Sequence, residues 1–351
     1  MPELRRDPIV GFWTILSTER SRRPVEFKAE KIAEESACCF CEGHESETTG
    51  EVYAVRKNGS KADGPGWDVR VIVSKTPLLS QEGVTDRMGR GIYDFMEGVG
   101  KHEILIESPK HKHDLDEFEP TDIERVIKVY AERLNALRED KRFEYGLLFK
   151  NHGHLSGSAK DVVPHSRSQL IGLPIIPKRV KEELWGARGY FERQDRCVYC
   201  DVLKQEMADG SRTVDQNDSF FAFCPFASRA PFEIWIFPKK HRADFGNIQA
   251  SEIQALALIL KECLTRLHVL LNDPPFNLIL HTAPFRRQKN NYQWKTIEED
   301  SHWYFHIQPR LTQSAGFEWG TGIHINPTPP EDAALLLRET DISRKGQHAS
   351  T

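Results

Sequence analysis

One set of metal-ligating residue types occurs twice along this chain, in the same order, and that repetition restricts the possible folds more than any other feature. Cys38 and Cys41 form a C-x-x-C in ACCFCEGHE, His111 closes EILIESPKH, and His165 stands in VVPHSRSQLIGLP. Later come Cys197 and Cys200 in RCVYC, His241 closing EIWIFPKKH, and His302 in SHWYFHIQPRL. Closed structural zinc sites take four tetrahedral nitrogen and sulfur ligands, so two Cys2His2 sites are expected, with two zinc ions per chain. From the second cysteine of each set to the first histidine, and on to the second, the intervals are 70 and 54 residues, then 41 and 61. Zinc fingers use far shorter spacings, so each site must join distant pieces of an already folded half. The duplication reaches beyond the ligands. EILIESPKH matches EIWIFPKKH, and ten residues after each closing histidine Thr121 or Ser251 opens a predicted amphipathic helix. Two copies of one unit, related by approximate two-fold symmetry, are expected. A lone C-x-x-C reads equally well as a pair of buried thiols. A redox role is the lesser alternative, because neither pair is expected at the start of a helix following a strand.

Composition narrows the class. The chain has 351 residues, 39% hydrophobic and 28% charged, which suits a globular protein with two domains. A net charge of −4 without long Lys/Arg runs predicts no nucleic-acid partner. No apolar stretch approaches the roughly 18 to 20 residues of a membrane span, and MPELRRDPIVGFW lacks a signal-peptide core. A cytoplasmic protein is the expectation. In that compartment seven cysteines favour metal thiolates over disulfides, leaving Cys39, Cys224 and Cys263 as buried thiols.

Helical spacing of Ile123, Val126, Ile127, Tyr130, Leu134 and Leu137 predicts a helix over 121–138, with Thr121 and Glu124 in the form of a capping box. A second, apolar on more of its circumference, is predicted from Ser251 to about Leu271. Strand-like runs lie at 69–74, 102–108 and 145–150, then at 219–225, 232–238 and 276–281. The expected fold is therefore α+β, two tandem domains, each a mostly antiparallel sheet with one principal helix. Domain boundaries are expected at 1–180 and 181–335, a charged segment over 178–195 bridging the copies and a polar tail over 336–351.

After the strand YGLLFK comes NHGHLSGSAKDVVPHSRSQLIGLP, a run of glycines and small hydroxyl residues whose backbone N–H groups could approach phosphate oxygens. Together with DPIVGFWTILSTERSRRP, WDVRVIVSKTP, GKHEILIESPKH and GFEWGTGIHINPTPPEDAA, over residues 4 to 335, this run resembles the galactose-1-phosphate uridylyltransferase family, the two-copy branch of the histidine-triad superfamily that includes ADP-glucose phosphorylase relatives. The resemblance implies a histidine-triad-like fold and ping-pong nucleotidyl transfer between a nucleotide sugar and a hexose 1-phosphate, in a homodimer with sites near the subunit boundary. In this family a histidine attacks the α-phosphorus and carries the nucleotide covalently, a task that suits neutral imidazole. By resemblance His165 is the metal-binding histidine of the motif. Gln169 matches a glutamine that bonds the transferring phosphoryl group, with Asn151 beside it. Arg20 and Arg23 match arginines near the phosphates, Glu318 a residue of the sugar-reading region, and Gly157, Ser158 and Ser168 complete the expected binding set.

At the nucleophile this chain departs from the family pattern. HSRSQ stands where the family has HPHSQ or HSHSQ, so the catalytic position is Arg167. A guanidinium stays protonated and has no lone pair to offer phosphorus. Covalent catalysis at 167 is excluded, while bidentate phosphate binding is open to it. The loop before His165 is about two residues longer than the family pattern, and Ser74 stands where relatives often have Asn. His154 and His306 are the replacement histidines within reach in sequence, each also readable as an ordinary hydrogen-bonding residue. Three readings follow: an active nucleotidyltransferase, a nucleotide-sugar-binding protein that keeps the metal-stapled fold, and a phosphorylase acting on an ADP-sugar or dinucleotide.

Overall fold

The computed structural model describes residues 2–17, 38–111, 114–157, 165–287 and 294–344. The first half contains β1 (Glu3–Arg6), β2 (Trp13–Leu16), β3 (Glu51–Arg56), β4 (Trp67–Val73), the hairpin β5 (Met88–Arg90) and β6 (Tyr93–Phe95), β7 (Lys101–Ile106), α1 (Pro120–Glu139), β8 (Tyr145–His152) and β9 (Arg167–Leu173). Two helices follow, α2 (Lys178–Gln194) and α3 (Val198–Asp209). The second half contains β10 (Thr213–Gln216), β11 (Phe220–Phe223), β12 (Ile234–Pro238), α4 (Ala250–Leu271), β13 (Phe276–His281), α5 (Ile297–Asp300) and β14 (Tyr304–Pro309). The chain closes with α6 (Gly316–Thr321), β15 (His324–Asn326) and α7 (Pro330–Glu339).

One antiparallel sheet of ten strands joins both halves, in the order β10-β11-β12-β14-β13-β8-β9-β7-β4-β3. Read inward from either edge, the two halves have the same topology: β3, β4, β7, β9, β8 on one side correspond to β10, β11, β12, β14, β13 on the other. The halves meet where β13 pairs with β8, from Phe276↔His152 to Leu280↔Leu148. Each half inserts its long helix between its third and fourth sheet strands, so the duplicated order expected from the sequence is present with its pseudo-two-fold relation.

Both long helices bury their apolar stripes on one sheet face, because strand residues there alternate toward them. Ile123, Val126, Ile127, Tyr130, Leu134 and Leu137 share a core with Leu256, Leu260, Leu264 and Leu267 of α4 and with Leu105, Leu148, Leu170, Leu278 and Leu280 of the strands. A buried ion pair adds direction to that packing. Arg133 Nε and a terminal nitrogen donate to the two oxygens of Glu103 on β7, at 2.9 and 2.7 Å. The start of α1 differs from expectation: Pro120 occupies the first turn, where its missing N–H costs nothing, Glu119 is the N-cap, and no side chain caps the helix. In α4 the Glu252 carboxylate accepts from Gln249 N at 2.8 Å, placing the helix start before Ser251.

The opposite sheet face distinguishes the halves. In the second, the charged bridge is helix α2, which with α3 covers the sheet: Ile9, Ala187, Val198, Tyr199 and Leu203 pack on Phe221, Phe223, Trp235, Phe237 and Tyr304. Gly186 permits this approach, since a Cβ there would lie 1.9 Å from the Ile9 carbonyl oxygen. On the first half's corresponding face Ile104, Leu147, Phe149, Asn151, Arg167 and Gln169 stay half-buried. Among the described residues, no helix covers this face of the first half. The tail expected from 336 begins later, because α7 runs to Glu339 and Leu337 is fully buried beside α4. The expected boundary at 180 falls inside α2. β15 lies parallel to β2 in a separate three-stranded sheet, tying the ends of the described chain together.

Candidate functional site

Two four-residue groups assemble as the repeat predicted. The donor atoms of Cys38, Cys41, His111 and His165 lie within 4.8 Å of one another, as do those of Cys197, Cys200, His241 and His302. Cys38 Sγ is 3.5 Å from His165 Nδ1, and Cys41 Sγ is 3.4 and 3.7 Å from the Nδ1 atoms of His111 and His165. In the second group Cys200 Sγ is 3.3 and 3.8 Å from the Nδ1 atoms of His241 and His302. Zinc–sulfur and zinc–nitrogen bonds of about 2.3 and 2.05 Å in a tetrahedron separate S and N by about 3.5 Å, so the residues fit such an ion. The outer nitrogens are arranged for the same purpose. Nε2 of His165, His241 and His302 faces the carbonyls of Ser108, Glu298 and Pro238 at 2.8, 2.7 and 3.0 Å, which fixes each ring with Nδ1 inward. Burial pushes His165 down to about 4, keeping the neutral, ligating form. The histidines of the two groups stand in equivalent places: His111 and His241 follow β7 and β12, and His165 and His302 lie two residues before β9 and β14. The second cysteine pair does open a helix, with Cys197 as N-cap of α3, although α2 rather than a strand precedes it.

Arg167 is the first residue of β9, on the open face. Its guanidinium carbon lies 5.5 Å from the centre of the Phe40 ring, and a terminal nitrogen reaches the His165 carbonyl at 3.5 Å. Alternation turns its neighbours the other way. Ser166 and Ser168 donate to the two oxygens of Glu107, each at 2.5 Å, and Tyr130 also donates to that carboxylate. Lys150 Nζ completes the cluster, 2.7 Å from Glu107 and 2.8 Å from Ser166 Oγ. Burial by itself would raise Glu107; the Lys150 ammonium and the serine hydroxyls override it and hold the carboxyl below its usual range. Ser168, expected in the binding set, is thus fully buried on the helix side, where it anchors the strand that carries Arg167.

Gln169 is the next residue on the open face, its Oε1 2.8 Å from His102 Nε2 on β7. The β8–β9 pairing ends at Phe149↔Gln169, and Asn151 lies two residues further along β8, paired with Asn277 of β13. Asn151 accepts from Asn277 Nδ2 at 2.7 Å, and a Cβ on Gly157 would come within 3.1 Å of its Nδ2. The structure therefore sets Arg167 and Gln169 on one face of β9 beside the His165 group, and Asn151 beside Gly157 at the end of β8. Glu318 stands elsewhere, on α6, its two oxygens accepting from Ala315 N and Ile325 N at 3.1 Å each, so that its carboxylate organises its own turn. Arg20, Arg23 and Ser158 lie outside the described residues. Of the two replacement histidines, His306 is buried on β14 with Nε2 3.0 Å from Glu233 Oε1, in the covered half. His154 is half-buried in the turn after β8.

Sequence reasoning missed His102, Glu107 and Lys150. Two of them left a signal: a charged residue on the inward side of an otherwise apolar strand, as in HEILIES and YGLLFK, is rare without a buried partner. His102 left none, because its partner Gln169 is 67 residues away in sequence.

Comparison with known proteins agrees with this arrangement. The family profile "Galactose-1-phosphate uridyl transferase, N-terminal domain" matches residues 1–177, and that of the C-terminal domain matches 183–319. The sequence is 33% identical over 348 residues to the ADP-glucose phosphorylase of Arabidopsis thaliana, covering 97% of this chain and 94% of that one. It is 26% identical to the galactose-1-phosphate uridylyltransferase of Thermotoga maritima, covering 97% and 99%. The crystal structure of the Arabidopsis enzyme with bound ADP-glucose superposes with a TM-score of 0.79 at 32% identity, over 97% of this chain and all of that one. With both of its halves matched by the family's two profiles, the chain belongs to the galactose-1-phosphate uridyl transferase family.

Proposed function

We propose that this protein is a nucleotidyltransferase exchanging a nucleoside monophosphate between a nucleotide sugar and a hexose 1-phosphate, on the open face of its first half. We further propose two structural zinc ions, held by Cys38, Cys41, His111 and His165 and by Cys197, Cys200, His241 and His302, and a cytoplasmic homodimer with sites near the subunit boundary. Zinc would hold the loops that carry His111 and His165 against β9, and hence the start of the strand that presents Arg167. The observation that carries the reading is the position of Arg167, at the head of β9 on a half-open surface with Gln169. A fixed guanidinium two residues from a metal-anchored histidine suits a phosphate bound across that surface.

Arg167 also restricts the chemistry. With no nucleophile at 167, transfer goes by direct attack: an acceptor phosphate oxygen forms a bond to the α-phosphorus as the bond from that phosphorus to the departing sugar 1-phosphate breaks. The leaving phosphate takes the electron pair, and no proton has to move. Arg167 stabilises charge on the transferring group, a contact worth about 1.5–3 kcal/mol when charge-assisted. Inorganic phosphate in the acceptor role would give the phosphorylase reading, for which the name of the Arabidopsis relative is support.

Labelled UDP-glucose and ADP-glucose, each with a hexose 1-phosphate or with inorganic phosphate, test this directly. Exchange with intersecting rather than parallel double-reciprocal lines, and no acid-labile label on the protein, is the expected result. A nucleotidyl-protein adduct in the parent would overturn the direct route and turn attention to His154. Binding without any exchange would instead establish the second reading, a nucleotide-sugar-binding protein, which the missing nucleophile favours. Failure to bind either nucleotide sugar would remove both.

A further inference from the structure

We infer that His102 is a positioning residue that fixes the side-chain amide of Gln169, so that its NH2 group is presented to the open face as a donor for an anionic ligand. For the ligand class this rests on the function proposed above; for the orientation it rests on two contacts. Leu78 N lies 3.4 Å from His102 Nδ1, and His102 Nε2 lies 2.8 Å from Gln169 Oε1. A backbone N–H can only donate, and two N–H groups facing each other at that distance repel, so Nδ1 carries the lone pair. The neutral ring then has its proton on Nε2, and the Gln169 atom facing it must be the acceptor oxygen. The NH2 group is left pointing away from His102. Burial, against the opposing effect of the Gln169 contact, holds His102 below its usual value, and His102 is only 6% exposed. The neutral tautomer is therefore the one present at neutral pH.

Geometry adds a reason for the amide to matter. Gln169 and Arg167 are alternate residues of β9 and project from the same face. Gln169 NH2 has no hydrogen-bond partner among the described residues, whereas Gln169 Oε1 is committed to His102. A flipped amide would put an acceptor oxygen next to a bound phosphate and would leave two N–H groups opposed at His102. His102 thus excludes the orientation that repels an anion.

A double-mutant cycle reads this out. In His102→Phe, which keeps a buried ring without the donor, affinity for UDP-glucose or ADP-glucose should fall about tenfold, as for a lost hydrogen bond to a charged group. His102→Gln, whose amide can place a donor near the old Nε2, should restore most of it. In a Gln169→Ala background His102→Phe should have no further effect, whereas a general packing role would give additive losses. Imidazole 15N shifts of His102 in the free protein should show the proton on Nε2, and additive losses or a proton on Nδ1 would overturn the inference. If the parent binds no nucleotide sugar, the proposed function falls while the shifts still decide the tautomer and with it the amide orientation.

Discussion

Lys150→Met tests whether the charge cluster beneath β9 holds the site strand in place. Lys150 is 2% exposed, with Nζ 2.7 Å from Glu107, 2.8 Å from Ser166 Oγ and 3.5 Å from Asp114 Oδ1. Methionine keeps most of the volume but leaves the Glu107 and Asp114 carboxyls buried without their ammonium. Removing one partner of a buried pair costs about 3–5 kcal/mol, whereas removing both is often close to neutral. At roughly 2–4 °C per kcal/mol for a protein of this size, Tm should fall by roughly 6–20 °C. The pH dependence has a definite sign. Glu107 is depressed when folded, so its contribution is present above the unfolded value of 4.5 and is lost as pH falls through the folded value. In the variant the same carboxyl is protonated more readily. The gap between parent and variant should therefore be widest near neutral pH and narrow in acid. Thermal melts from pH 4 to 8 on the parent, Lys150→Met, and Lys150→Met with Glu107→Gln measure this. The double variant should recover much of the loss. A single variant melting within about 1 °C of the parent, or a double variant melting below the single, would refute the reasoning.

Metal analysis of protein purified without chelator should give two zinc equivalents per chain, and less than one would contradict the Cys2His2 assignment. Cys38→Ser should lower Tm and leave about one equivalent, since structural zinc contributes to folding free energy; identical melting curves would argue against it. Arg167→His should weaken nucleotide-sugar binding roughly ten- to hundredfold yet allow an acid-labile nucleotidyl-protein adduct that the parent lacks, measured by retained label. Gly186→Ala should destabilise by about 1–3 kcal/mol, because a methyl group must displace the Ile9 backbone from α2; an unchanged Tm would show that this contact gives way freely. A monomer by light scattering would remove the proposed homodimer.

Much of the frame was legible in the chain itself. Period-3.6 stripes from Ile123 to Leu137 and along α4 mark helices because each must bury one face, and the short runs of β-branched and aromatic residues in HEILIES and FEIWIFP mark strands buried on both faces. The two Cys, Cys, His, His groups were legible because duplication repeated them: chance rarely places these four residue types in the same order twice. Arg167 could be judged from chemistry alone, since a guanidinium lacks a lone pair in any fold. Helix starts were less secure. Thr121 and Ser251 have capping chemistry, but the first turns instead use Pro120 and the Glu252 carboxylate, choices within a residue or two that local sequence scarcely separates.

Which face of which half stays open was decided only by tertiary structure. The two halves of the sheet are alike in sequence pattern, and α2, read from sequence as a charged bridge, covers one of them through Ala187 while Gly186 lets Ile9 approach the helix. Ser168 and Gln169 are neighbours in the chain with opposite fates, one locked to Glu107 beneath the sheet and the other on the open face, because a strand alternates its side chains and only packing decides which side is buried. His102, Glu107 and Lys150 acquire their roles from partners 16 to 67 residues distant. Local sequence sets what each residue can do, as donor, acceptor, ligand or charge. The long-range contacts that close the sheet set which of these capacities is used, since hydrogen bonds and ion pairs form only between groups that the fold brings within about 3 Å.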